Sequence, residues 1–153
     1  MDRKNIGLEE ATQKIKHFCS YQERCHSEVK QKLYSMGLYP RQIEAIMADL
    51  INAHYLNEER FAIAYAGGKF RMLKWGKIKI YHSLKQKGVS EYCIKKGLKE
   101  IPLDDYLQTL NILAEKKFAT LKGSLLQKQL KLKKFLLDKG FESSLITQAM
   151  GGL

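Results

Sequence analysis

The chain has 153 residues, 44% of them apolar and 28% charged, and a formal net charge of +11. That apolar share can bury cores and excludes disorder by composition, and no apolar run of about 18 residues is present to span a membrane. Cys19, Cys25 and Cys93 form no C-x-x-C pair, and no apolar stretch follows the charged N-terminus. Reduced thiols in an unexported cytoplasmic protein are therefore expected. The positive excess asks for an acidic partner, whether nucleic acid, an acidic protein face or an anionic membrane. The plain alternative is a solvated basic surface.

Taken in order, the chain reads as helices throughout. The apolar spacing predicts helices over Leu8–Tyr21, Ser27–Met36 and Pro40–Asn52, with Pro40 in a first turn that tolerates it. Asn57 caps a helix over Glu58–Leu73, with Glu58 and Glu59 in the first turn. Helices follow over Lys77–Lys87 and Glu91–Glu100, the second capped by Ser90. Pro102 marks a joint, and Asp104 is expected to cap a helix running to about Leu121. After Gly123-Ser124 come Leu125–Lys139 and Glu142–Met150.

These helices repeat in threes. Leu33, Leu84 and Leu136 are spaced by 51 and 52 residues. Four residues before them stand Val29, Ile80 and Leu132, and four after them Gly37, Gly88 and Gly140. Leu38, Val89 and Phe141 come next, then Ile43, Ile94 and Ile146, then Met47, Leu98 and Met150. Ala11, Ala62 and Ala114 keep the same offsets upstream. Apolar residues four apart make one helix face. A glycine there suits the left-handed turn that ends a helix, and the apolar residue after it covers the turn. Three tandem three-helix repeats are expected, at residues 8–53, 54–101 and 102–150.

Charge is not shared evenly among them. Residues 1–53 carry a net +1, residues 54–101 +7 and residues 102–153 +3. No acidic residue falls between Phe61 and Ser90. Lys69, Arg71, Lys74, Lys77, Lys79, Lys85 and Lys87 are placed to neutralise phosphates, helped by Lys131 and Lys134 of the third repeat. Phe70, Trp75 and Tyr81 are interleaved, and such rings stack on unpaired bases. Phe70 reads as core, whereas Trp75, beside Gly76, sits at a joint and is expected to be partly exposed. The same patch would also suit an acidic protein groove.

Catalytic patterns are not evident. Gly67-Gly68-Lys69 lies inside a helical pattern, so close packing or a local kink explains it better than a phosphate loop. His17, Cys19, Cys25 and His26 are ligand types, but the two cysteines are six apart across a helix joint. Structural zinc sites use shorter spacing, so packing is the better account. For Asp104-Asp105, and likewise for Glu58-Glu59, helix capping is a better account than a catalytic carboxylate pair. A non-enzymatic protein with no metal or cofactor is expected.

Several segments resemble the RecX family. Tyr55-Leu56-Asn57-Glu58-Glu59-Arg60-Phe61-Ala62 with Tyr65 is similar to the opening of that family's central repeat, with Asn57 where the family favours Asp. Trp75-Gly76, Ile78, Leu84 and Lys87-Gly88-Val89 follow the rest of it. Ser20–Val29 resembles the first repeat, and Phe135-Leu136 with Gly140-Phe141 the end of the third. The resemblance implies an elongated, curved all-α molecule of three repeats. It implies a monomeric bacterial regulator that binds the groove of the RecA–single-stranded DNA filament and inhibits strand exchange and ATP hydrolysis. Binding to single-stranded DNA, and to duplex DNA, is implied as well. Periodicity and charge agree with this without showing it. The competing expectation is a free-standing helical DNA-binding protein that acts without RecA.

Overall fold

A computed structural model describes residues 7–153. Met1–Ile6, the charged start of the stretch read above as lacking an export signal, lie outside the described residues. The described residues form nine α-helices and no strand. They are α1 (Leu8–Tyr21), α2 (His26–Ser35), α3 (Pro40–Asn52), α4 (Glu58–Leu73), α5 (Lys77–Gln86), α6 (Glu91–Lys99), α7 (Leu103–Thr120), α8 (Leu125–Asp138) and α9 (Ser143–Met150). The close helix approaches run within α1–α3, within α4–α6 and within α7–α9, while side chains of the second and third triples share one core. The accessible surface is 9970 Å², against about 8,000 Å² for a compact monomer of this mass. The all-α repeat is therefore drawn out, as the family resemblance implies.

The glycine that follows the middle helix of each triple turns as expected. Gly37, Gly88 and Gly140 have φ of 83°, 81° and 97°, which a side chain would strain. Asn57 accepts from the Arg60 amide at 2.8 Å and Ser90 from the Cys93 amide at 3.3 Å, so both predicted caps are in place. The Asp104 cap is not. The residue before α7 is Pro102, with φ −60° and ψ 130°, and Asp104 and Asp105 lie inside the first turn. Proline has no amide to lose there, and two carboxylates in a first turn favour the positive helix end.

One small side chain sets how closely each triple packs. Ala62 of α4 meets α6 at Gly97, where an added Cβ would lie 2.6 Å from the Ala62 carbonyl oxygen. At the equivalent positions Ala114 is matched by Ala149, and Ala11 by Ile46. The approach is closest between α4 and α6, looser between α7 and α9, and slight between α1 and α3. The order follows the size of the residue at the position equivalent to Gly97.

Two cores result. Ile15, Val29, Leu33, Ile43 and Leu50 centre the first, into which Leu56 also packs. Ile80, Leu84, Ile94, Tyr106, Leu132, Leu136 and Phe141 belong to a second, continuous from α4 to α9, and Cys25 at the start of α2 is buried with them. The triples are joined end to end. The Gly76 amide donates to the Lys139 carbonyl at 2.7 Å and the Ile78 amide to the Gly140 carbonyl at 2.9 Å. The turn closing α8 thus caps the start of α5. One repeat earlier, the Ser27 hydroxyl at the start of α2 donates to the Lys87 carbonyl at the end of α5, at 2.9 Å. The Tyr106 hydroxyl accepts from the Lys77 amide at 2.9 Å and donates to Glu142, while its ring packs between Phe70 and Phe141.

A methyl group at Gly76 would collide with the backbone of Gly140 and Phe141. Gly76→Ala should therefore cost about 2–4 kcal/mol through overpacking and the loss of these bonds. Gly68→Ala, which meets open space within the same region, should be neutral or stabilising by up to about 1 kcal/mol. Urea denaturation of the two variants checks this, and equal midpoints would contradict the interlock.

Candidate nucleic-acid interface

The basic stretch folds as the end of α4, a tight joint, and α5. Tyr65 and Lys69 are one turn apart on α4, and the Tyr65 hydroxyl hydrogen-bonds Ser83 of α5. Lys74 closes α4 in the left-handed conformation, with φ 59°. That reversal throws Trp75 back beside α4, half-buried against the second core. The Lys69 ammonium then stands 5.2 Å from the centroids of both Tyr65 and Trp75. Lys79 lies 4.8 Å from Trp75, and Lys87 5.6 Å from Tyr65. Three cations thus alternate with two rings along one face. Attraction to the ring quadrupole holds each ammonium at the aromatic surface without neutralising it.

The other predicted residues disperse. Lys77 lies over the Tyr106 ring at 4.9 Å, at the joint with α7. Arg71 points to the other side of α4, folding over Gly67 into a cleft also lined by Glu100 and Asp105. Room for that guanidinium is what Gly67 provides, rather than a phosphate loop. Lys74 donates to the Arg71 carbonyl at 2.7 Å. Lys85 pairs with Glu91 at 3.1 Å, and Lys134 with Asp138 at 3.1 Å. Lys131 is exposed, and among the described residues it has no ion-pair partner. Hydrogen bonds from Tyr81 and Lys85 hold the Glu91 carboxyl below its ordinary pKa, so that pair persists through the neutral range.

Tyr65 is the residue that charge counting passes over. Its signal is a ring one helical turn before Lys69. Lys139 is another: its ammonium donates to the Leu73 carbonyl at 3.1 Å and ties α8 to the end of α4. The start of α5 is not an anion site despite its basic setting. The Gly76, Lys77 and Ile78 amides are consumed by Lys139, Tyr106 and Gly140. Phosphates on this face must be met by side chains.

Among the described residues no three His, Cys, Asp or Glu side chains gather as a metal site requires. Cys19 and Cys25 are both buried, one in each core, and burial raises both thiol pKa values. Among the described residues no helix is long and apolar enough to cross a membrane.

Fold and surface together define a tandem helical-repeat protein with a cationic, ring-lined central unit. Comparison with known proteins makes this specific. Residues 57–98 match the family model for the second three-helix domain of RecX, and residues 104–150 that for the third. The chain is 30% identical over 130 residues to regulatory protein RecX of Bacillus thuringiensis, a match that covers 84% of this chain and 48% of the relative. It is 29% identical over the same length to that of Bacillus mycoides. The chain thus spans about half the length of the curated relatives it matches. The crystal structure of RecX from Lactobacillus salivarius superposes with a TM-score of 0.87 at 26% identity, covering 95% of this chain and 96% of that one. A second RecX crystal structure, with a TM-score of 0.85 and 23% identity over 94% of this chain and 71% of that one, shares the fold. The chain belongs to the RecX family.

Trp75 is the only tryptophan, so its fluorescence reports this face alone. Lys69 and Lys79 beside it should make iodide a several-fold stronger quencher than caesium. Lys69→Ala with Lys79→Ala should bring the two Stern–Volmer constants together. Equal quenching of the parent protein would show that no positive field surrounds the indole.

Proposed function

We propose that the protein is a non-enzymatic regulator of RecA that acts in the cytoplasm as a monomer. It binds the RecA–single-stranded DNA filament and lowers recombinase and ATPase activity, and so modulates DNA repair. The observation that carries this reading is the alternation of Lys69, Lys79 and Lys87 with Tyr65 and Trp75 on the central unit of a RecX-family chain. Rings and cations at that spacing suit unpaired bases and their phosphates, which a filament on single-stranded DNA carries. The domain scheme goes with it: units at residues 8–53, 54–101 and 102–150, with the central one as the main contact. A drawn-out repeat also suits an extended helical partner. Duplex DNA is a weaker ligand in this reading, because paired bases hide their faces from the rings.

Free and paired cations should separate in function. Lys69→Glu with Lys87→Glu should weaken inhibition of RecA's single-stranded-DNA-dependent ATPase about tenfold or more, because it reverses two unneutralised charges. Lys85→Glu with Lys134→Glu should have a smaller effect, because both side chains already pair with carboxylates. The assay is steady-state ATP hydrolysis at fixed RecA and varied protein, with helicity checked by circular dichroism. Undiminished inhibition by the folded Lys69/Lys87 variant would remove the surface assignment. Tight binding to bare DNA with no effect on RecA would favour a free-standing DNA-binding protein.

A further inference from the structure

The central cluster has a counterpart in the first unit, which the near-neutral charge of that unit conceals. A shift of 51 residues carries Tyr65, Lys69, Trp75, Ser83 and Lys87 onto Lys14, Phe18, Arg24, Lys32 and Met36. All five line one cleft of ≈ 570 Å³ between α1 and α2, together with His17 and Tyr21. Ring and cation have traded places. Lys69 stands where Phe18 does, and Trp75 where Arg24 does. Their apposition is nonetheless kept: the Arg24 guanidinium lies 3.8 Å from the Phe18 centroid, and Lys32 lies 5.7 Å from it. The third unit differs: the equivalents of Lys69 and Trp75 are Leu121 and Gln127, and a cation meets a ring instead at the positions of Tyr65 and Ser83, where the Lys117 ammonium is 4.8 Å from the Phe135 ring.

Core positions of this repeat keep their residues, as with Ala11, Ala62 and Ala114, because packing volume is specific. Between the first and central units, the position joining the first and second helices keeps its ring and cation while the residues change. That is the behaviour of a recognition surface rather than of a packing requirement. In the first unit no carboxylate lines the cleft, and among the described residues Arg24 and Lys32 have no ion-pair partner. Tyr21, 76% exposed, stands at its edge as an unused stacking face.

We propose that this cleft is a second subsite for single-stranded nucleic acid, equivalent by the repeat to the Tyr65–Trp75 cluster. An unpaired base stacks on Tyr21, and Arg24 and Lys32 meet the adjoining phosphate. The cleft volume lies within the roughly 300–1,000 Å³ range of small-ligand sites. An acidic peptide would match the cations but leave the flat, exposed ring unexplained. The proposal rests on the reading that the central cluster meets single-stranded DNA.

The test titrates the full chain and its Tyr21→Ala/Lys32→Ala variant with oligothymidylates of about 5 and about 20 nucleotides at two salt concentrations, without RecA. Trp75 quenching reads the central cluster, and anisotropy of labelled oligonucleotide reads total binding. The short oligonucleotide should quench Trp75 alike in both proteins. The longer one should bind the variant about tenfold more weakly, with a salt slope smaller by about 0.7. If the double variant loses helicity, Lys32→Glu on the exposed face of α2 gives the same reading. Equal affinity and slope for the long oligonucleotide overturn the proposal. So does equal oligonucleotide affinity with loss of binding to oligoglutamate, which would assign the cleft to an acidic protein. A parent that inhibits RecA's ATPase but binds no bare oligonucleotide overturns the subsite and leaves the regulatory reading standing. A parent that binds as described but leaves RecA untouched does the reverse.

Discussion

The contact between the end of α8 and the beginning of α5 is the constraint on which the rest of the molecule depends. Every α-helix leaves unpaired amides at its start and unpaired carbonyls at its end. Here one deficit answers the other: Gly76 and Ile78 donate to Lys139 and Gly140 across the joint. The negative end of one helix dipole also meets the positive end of the next. The backbones must touch for this to happen, and a side chain at Gly76 would prevent it. Ser27 and Lys87 make a looser version of the contact one repeat earlier, through a hydroxyl. The middle helices α8, α5 and α2 are thereby linked end to end, and the repeat grows along that line. Among the described residues the start of α8 meets no such turn; it begins a full turn earlier and caps itself through Ser124 and Gln127.

This joinery also shapes the basic face. Because α5 spends its first amides on α8, the positive end of the helix is unavailable to a ligand. The face is left to side chains, and the left-handed Lys74 turns Trp75 to where Lys69 and Lys79 flank it. The indole, half-buried against the second core, is held between Lys69 and Lys79. Cations held over rings lose less freedom on binding than free surface lysines, which lowers the ordering cost of engaging a polyanion.

Much of the architecture was legible in the chain. All nine helices lie within a residue or so of the spans their apolar spacing indicates, because a 3.6-residue period is a local property. Ile80 and Leu84 are fully buried, as their register requires. The candidate interface was legible as a composition but not as a group. Seven cations between Lys69 and Lys87 look equivalent on paper. In space Arg71 turns to a cleft shared with acids, and Lys85 is neutralised by Glu91, which lies just past the end of the acid-free run. Tyr65 was legible only as part of a family resemblance: Lys69 is its neighbour one turn along α4, but the pairing of α4 with α5 is what adds Ser83 and Lys87.

By itself, then, the sequence determined the helices, their three-fold repetition, the left-handed glycine turns and the concentration of charge in the middle of the chain. Each follows from a preference expressed within a few residues or from periodicity along the chain. Tertiary structure alone decided which lysines stay free, which rings they face, and how near the helices of each unit come. It also decided that Gly76 meets Gly140 and that the first unit carries a cleft equivalent to the central cluster. The helix approaches and the Gly76–Gly140 contact depend on residues far apart in sequence, whereas the ring and ion partners lie closer but meet only as the turns between helices allow, with ring and cation exchanging positions between repeats. A count of residue types cannot register such an exchange, whereas the packed geometry preserves it.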